Sequence, residues 1–384
     1  MLTAFKTLSA LLIQNLFVEE IKHETPIDEQ QENDIFKSFK LSRVLIPIFV
    51  GLGVVFYMLS RKFNPDDFAK IHWTSHTLFW IGIAFILLVI RHLCYALRLY
   101  ILADGTFTYR KCVELLFIWE FSTAVAPTSA GGAAIALFVL ALEKIPPARV
   151  AVIVIYKVLL DSVFQFLLFP TLFLILGWQL LSPGVQDINT LNQSAWVFLT
   201  VYSLMIMQGL LLIFGLFIYP AGIQKLLDYT TKLPLLNRFR AKALKFGEDI
   251  VTASAVIKHK PFRFHLRAFL ATTAAWCSRF LLINCLIIAI AENVSTDFWS
   301  QAHLFGRVAT NYIIVLFAPT PGGSGFAETG LVHAISDYVP ETIGYVVALI
   351  WRLMTYYPYL ITGAIIIPNW IRKLLAERKA NINE

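Results

Sequence analysis

Long apolar runs dominate the chain and are separated by short polar segments. Residues 44–59, 79–90, 195–219 and 269–291 approach or reach the roughly 20 apolar residues that a helix needs to cross a bilayer. A longer run, 150–181, is interpreted as one crossing with an extension. With a last span at residues 343–367, the pattern predicts an all-α polytopic membrane protein with about six crossings.

Two further apolar stretches are interrupted by proline and glycine. Residues 126–135 read APTSAGGAAI and residues 318–327 read APTPGGSGFA, so the two motifs begin alike. The apolar arms around the second motif, 304–317 and 326–336, are each too short to cross a membrane. Each motif therefore predicts a re-entrant hairpin of two half-helices, the first of them within residues 112–142.

The net charge of +7 is concentrated in one segment. Residues 222–267 carry ten Lys and Arg residues against three acidic ones. Because cytoplasmic loops are enriched in Lys and Arg, this basic loop is expected inside the cell, facing anionic lipid headgroups. The acidic loops around Asp187 and Asp297 are then external, and both termini are cytoplasmic.

This topology organises the chain into a polar lead-in, 1–40, and one transmembrane domain, 41–384. The two hairpins open toward opposite sides of the membrane. Residues 80–181 and 269–367 are therefore interpreted as the halves of an inverted repeat. Inverted repeats with broken helices at matching positions are typical of alternating-access transporters, which bind substrate near the membrane midplane.

Composition excludes several classes of function. The chain is 58% hydrophobic and only 15% charged, with a mean hydropathy of +0.68, unlike an ordinary soluble domain. We find no nucleotide-binding, metal-ligand, nucleophile-elbow or nucleic-acid motif. We therefore expect a multi-pass protein of the plasma membrane without a cofactor, a metal site, a nucleic-acid partner or a catalytic residue.

The two breaks have the chemistry of an anion site. Proline ends the first half-helix, and glycine permits positive φ and close backbone approach. The next half-helix then points free N–H groups and a positive dipole end into an enclosed space, which suits phosphate. Small residues that only help helices to pack are the alternative reading. The candidate residues of the breaks are Pro127, Thr128, Gly131, Gly132, Pro319, Thr320, Gly322 and Gly323.

Ionisable residues inside the predicted spans complete the candidate site. Each costs at least about 2.5–3.5 kcal/mol there unless it is paired or hydrated. Arg352 and Glu328 are favoured because both are deep and close to the second motif. For Lys157 and Asp161, which are four residues apart, a simple ion pair with each other is an alternative to a substrate role. For Arg98, near the end of its span, the alternative is a side chain that extends to the lipid headgroups. The candidates are Arg91, Arg98, Lys157, Asp161, Glu328 and Arg352, with Glu120 and Arg279 also inside apolar stretches.

Four stretches carry a family resemblance: RLYIL at 98–102, APTSAGG, APTPGGSGFAE ending at Glu328, and WRLMTYYPYLITG at 351–363. Together they resemble the flippase-like transmembrane region of lysylphosphatidylglycerol synthases, from about Arg91 onward. The first motif lacks the acidic residue that often follows its glycines. The resemblance implies movement of a polar-headed lipid between leaflets. Family members that make the lysyl-lipid carry an additional soluble domain, for which we find no polar stretch of sufficient length.

The leading hypothesis is therefore translocation of a phosphate-bearing lipid, held by Arg352 and the half-helix end at Gly322 and Gly323. One alternative is a membrane-embedded lipid or glycolipid transferase, with Glu120, Asp161 or Glu328 as the base. Another is a carrier of a small organic anion.

Overall fold

The structure is a computed structural model of the chain. It describes residues 71, 73–125, 140, 143, 147–232, 237, 240–291, 294–316, 318, 320–363, 365, 366 and 370, together with positions 53, 57 and 60. The predicted lead-in 1–40 lies outside these residues, as does almost all of the predicted first span.

The described residues form helices and contain no strand. A π turn, Phe214–Ile218, extends the fourth helix, and a 3₁₀ turn, Pro321–Gly323, precedes the ninth. The α-helices are α1 Ser75–Ala103, α2 Tyr109–Val125, α3 Pro147–Leu176, α4 Gln193–Ile213, α5 Pro220–Thr230, α6 Arg240–Ile257, α7 Phe262–Ile290, α8 Phe298–Val315, α9 Phe326–Ala334 and α10 Glu341–Thr355.

Four described helical segments are long and apolar enough to cross a membrane. They are Ser75–Ala103, Arg149–Leu180, Gln193–Ile218 and Phe262–Ile290, which confirms four of the predicted spans as helices. The second of them is continuous through Pro170, as the single-crossing interpretation requires. The last of them is central to the bundle, because 72% of its most apolar stretch is buried, against 22%, 33% and 28% in the other three.

The predicted basic loop 222–267 is not a loop. It folds into α5, α6 and the first turns of α7. The reason is an apolar stripe at helical spacing, in which Ile250, Ala253 and Ile257 of α6 are buried in the core. Hydrogen bonds from Lys232 and then Arg240 hold the pKa of Asp228 below its ordinary value at the junction of the two helices.

The predicted last span at residues 343–367 is helical in two pieces. Helix α10 ends at Thr355, and helical structure resumes at 357–363, 365 and 366. Pro358 explains the interruption, because its ring lacks an N–H and clashes with the carbonyl one turn earlier. The interruption is confined to Tyr356, whose φ and ψ stay in the right-handed helical region.

Helices α1 and α7 pack side by side in opposite directions. The C-terminal end of α1 meets the start of α7, where Lys260 binds Asp104, and Tyr95 packs edge-on against Trp276 near the middle, with ring centroids 6.3 Å apart. An antiparallel pair of this length gives the bundle two well-separated ends.

The segments expected to form hairpins each start and finish at one end of the bundle. At the end that contains Asp104, Lys111 in α2 pairs with Glu143 at 2.8 Å, just before α3. At the opposite end, Arg307 in α8 binds Asp337, between α9 and α10, at 3.2 Å. These ion pairs join the start and the finish of each segment, and the two re-entrant hairpins stay predictions. The equivalence of the halves and the side that faces the cytoplasm stay predictions.

Candidate functional site

A cavity of about 160 Å³ lies between α1, α2, α7, α8, α10 and the break that follows α8. A water molecule occupies about 30 Å³ in the liquid, and whole drug-sized ligands need about 300–1,000 Å³. The cavity therefore accommodates a small polar group rather than an entire lipid. Its polar and charged lining residues are Arg91, Glu120, Thr123, Arg279, Asn311, Thr320, Arg352 and Thr355.

Glycines shape the break that forms one wall. Gly322, Gly323 and Gly325 have φ values of 56°, 68° and 89°, in the region that glycine adopts readily. A Cβ on Gly322 would lie 2.3 Å from the ring of Tyr356, so this position also requires close approach. The predicted role of the glycines is seen here, and Thr320 donates its hydroxyl to the Ser324 carbonyl at 2.8 Å.

The N-terminus of α9 is not free, which corrects the expectation of an open helix end. The carboxylate of Glu328 accepts the Gly325 N–H at 2.7 Å, because a glutamate in the first turn reaches back to the preceding backbone. The same carboxylate lies 2.7 Å from Arg352 Nε, and the two side chains are 4% and 6% exposed. Arg352 also donates to the Gly322 carbonyl at 3.0 Å.

Arg91 and Glu120 form a second ion pair in the cavity wall, with 2.7 Å between Nη2 and Oε2. The guanidinium of Arg91 lies over the rings of Tyr95 and Tyr359, 5.5 Å from each centroid. Within the described part of the chain, Arg91 Nε and Arg352 Nη2 are buried donors without a hydrogen-bond acceptor. Both cations therefore keep donor capacity beyond their carboxylates.

Arg279 differs from the other two arginines. Its guanidinium lies over the rings of Tyr312 and Trp276, 4.6 and 5.6 Å from the centroids. No carboxylate of the described residues forms an ion pair with it. The cavity arginines and their partners, three cations against Glu120 and Glu328, thus leave one positive charge unmatched.

A second charged cluster lies beside the cavity. Asp161 in α3 accepts Arg98 Nη1 at 2.5 Å and Trp276 Nε1 at 2.9 Å, and lies 3.2 Å from Lys157 Nζ. The internal bridge within α3 is therefore present, but it is shared with α1. Arg98 is buried in this cluster, where it contacts Asp161 and the ring of Tyr95, 4.7 Å away.

The structure brings most of the predicted site residues together. Arg91, Thr320, Gly322, Gly323 and Arg352 line the cavity, Glu328 binds Arg352, and the Asp161 cluster adjoins it through Trp276. Five predicted residues lie outside the described residues: Pro127, Thr128, Gly131, Gly132 and Pro319. Tyr356 Oη binds the Ala124 carbonyl at 3.1 Å, so the described wall extends to the edge of the first motif.

Arg279 was not among the site residues predicted from the sequence. Its signal was visible as a charge inside the apolar sequence AWCSRFLLIN, but that signal is shared by every arginine in these spans. The absence of a carboxylate partner emerges only when the helices pack. No group of three His, Cys, Asp or Glu residues suited to a metal occurs among the residues that the structure describes.

Comparison with known proteins gives two matches. The family described as the lysylphosphatidylglycerol synthase TM region matches residues 44–363. A protein described as a UPF0104 membrane protein, from Archaeoglobus fulgidus, is 25% identical over 293 residues, which cover 74% of this chain and 84% of that protein. No solved structure matches significantly.

Proposed function

Because the chain belongs to the lysylphosphatidylglycerol synthase transmembrane-region family, we propose that it moves a phosphate-bearing polar lipid between membrane leaflets. The observation that carries the proposal is Arg279, a cation in the wall of an internal cavity without a carboxylate partner among the described residues. An unmatched charge is costly at membrane depth, so an anionic ligand is the natural partner.

The surroundings of Arg279 suit a phosphate group. A guanidinium presents parallel N–H donors that bind two phosphate oxygens at once. The rings of Tyr312 and Trp276 lie against the guanidinium, 4.6 and 5.6 Å from its central carbon, and supply favourable cation–π contacts. The cavity volume, about 160 Å³, fits the phosphate portion of a lipid, while the acyl chains stay in the surrounding bilayer.

Arg352 and Glu328 supply a way to couple binding to movement. The free Nη2 of Arg352 offers a second donor to the phosphate. A phosphate that binds Arg352 competes with Glu328, whose carboxylate also caps the first turn of α9. Ligand binding therefore weakens a contact that holds the half-helix in place.

The two alternatives make different demands on the same residues. A transferase needs a free carboxylate as its base, yet Glu120, Asp161 and Glu328 each bind an arginine. A carrier of a small organic anion needs only the cavity and its positive charge, and the volume suits such a ligand equally well. The decisive test therefore compares a lipid with a soluble phosphate ester.

The experiment uses the purified full chain in vesicles that contain a fluorescent phospholipid. A membrane-impermeant quencher measures how fast the lipid moves between leaflets, and labelled glycerol phosphate measures uptake of a soluble anion. We expect lipid movement that Arg279→Gln abolishes. Arg267→Gln is the matched control, because this arginine is exposed on the same helix, away from the cavity.

The outcomes separate the hypotheses. Lipid movement at the wild-type rate in Arg279→Gln contradicts the proposed site. Uptake of glycerol phosphate without lipid movement instead supports the small-anion carrier.

A further inference from the structure

The charged side chains in and beside the cavity carry a net positive charge. Among the described residues, the cavity and the adjoining Asp161 cluster hold five cations and three carboxylates, an excess of two positive charges. The first break does not alter this count, because residues 126–139 contain no ionisable side chain. The cations are Arg91, Arg98, Lys157, Arg279 and Arg352, and the carboxylates are Glu120, Asp161 and Glu328.

The two unmatched charges belong to neighbouring clusters. One is Arg279 in the cavity, and the other arises because Arg98 and Lys157 share the single carboxylate of Asp161. Trp276 joins the clusters, since its ring contacts Arg279 while its Nε1 donates to Asp161. Trp276 therefore contacts both Arg279 and the carboxylate that Arg98 and Lys157 share.

Tyr95 provides a second connection between the clusters. Its ring lies 4.7 Å from the guanidinium of Arg98 and 5.5 Å from that of Arg91, one on each side along α1. The arginines are seven residues apart and thus two helical turns apart on one face of the helix. The row of cations from the cavity wall to Lys157 therefore carries a net positive charge even with Glu120 and Asp161 counted.

From this charge distribution we infer that the transported lipid carries two negative charges in its headgroup, as a phosphomonoester or a diphosphate does. The inference rests on the proposed function and narrows its substrate class. A phosphodiester with one charge neutralises only half of the excess. A zwitterionic headgroup also brings a cation into a region that is already positive, which the low local dielectric makes unfavourable.

The test measures binding of three lipids to the full chain in nanodiscs at pH 8. Phosphatidic acid is the monoester and carries close to two charges there, because the second pKa of a phosphomonoester is about 6. Phosphatidylglycerol carries one negative charge, and phosphatidylcholine is zwitterionic. We expect phosphatidic acid to bind about tenfold more tightly than phosphatidylglycerol, and phosphatidylcholine to bind most weakly.

Substitutions of Lys157 test whether the Asp161 cluster is responsible for this preference for phosphatidic acid. Lys157→Gln removes one positive charge and leaves the bond between Arg98 and Asp161, so the fold keeps its buried pair. We expect the preference for phosphatidic acid to disappear in this variant and to persist in Lys157→Arg. Lys258→Gln is the control, since this lysine is exposed outside both clusters.

Each result has one meaning. Equal binding of phosphatidic acid and phosphatidylglycerol overturns the inference and leaves the proposed function intact. Failure of all three lipids to bind overturns the proposed function itself. An unchanged preference in Lys157→Gln overturns the role of the Asp161 cluster.

Discussion

Replacing Glu328 by glutamine separates the two roles of the ion pair with Arg352. The amide has nearly the same shape as the carboxylate, and its oxygen is still able to accept the Gly325 N–H. The negative charge is lost, however, and Arg352, only 6% exposed, is left without its counter-ion. Removing one partner of a buried ion pair costs about 3–5 kcal/mol, so Glu328→Gln should unfold at a lower temperature than wild type.

The same substitution should strengthen ligand binding. In the wild-type protein a phosphate competes with Glu328 for Arg352, whereas in the variant it supplies the missing charge. If binding recovers only about 1.4 kcal/mol of the lost stability, affinity rises tenfold. Transport should nevertheless slow, because no carboxylate is present to displace the phosphate from Arg352.

Thermal unfolding of the purified chain in detergent measures both effects, with and without phosphatidic acid. The expected result is a lower unfolding temperature for Glu328→Gln without lipid, and a larger upward shift on lipid addition than in wild type. Glu248→Gln is the control, since this glutamate is exposed on α6. A lipid-induced shift no larger than that of wild type would refute the competition.

Two further predictions concern the break and the topology. Gly322→Ala should lower stability by at least roughly 1–2 kcal/mol, because alanine is unfavourable at positive φ and its Cβ meets a tyrosine ring. Gly82→Ala, which has open space around the added Cβ, should be tolerated in the same thermal-unfolding assay. With an impermeant thiol reagent on intact cells, a cysteine at Asp187 should react and one at Lys258 should not; the reverse pattern contradicts the topology.

Apolar runs were sufficient to predict the long helices. The apolar run 79–90 lies within α1, Ser75–Ala103, because the bilayer requirement favours long apolar helices. The break at Gly322 was equally visible, since proline and glycine interrupt a helix for local reasons. The helices of the basic segment were not predicted, because their polar surface obscured a narrow apolar stripe.

The sequence did not predict which charged side chains form ion pairs with each other. Arg91 pairs with Glu120, which is 29 residues away in the sequence, and Arg98 pairs with Asp161, which is 63 residues away. Which arginine lacks a carboxylate depends on the rotation of each helix about its axis, and the apolar pattern sets this rotation only loosely. Arg279 therefore resembled the other arginines until the helices were packed together.

The interruption at Tyr356 forms a joint between two walls of the cavity. Pro358 has no N–H, so the joint is able to flex without breaking a helical hydrogen bond at that residue. Arg352 lies before the joint and Tyr359, which stacks near Arg91, lies after it. Flexing at Tyr356 thus changes the distance between two walls of the cavity while each wall keeps its own secondary structure.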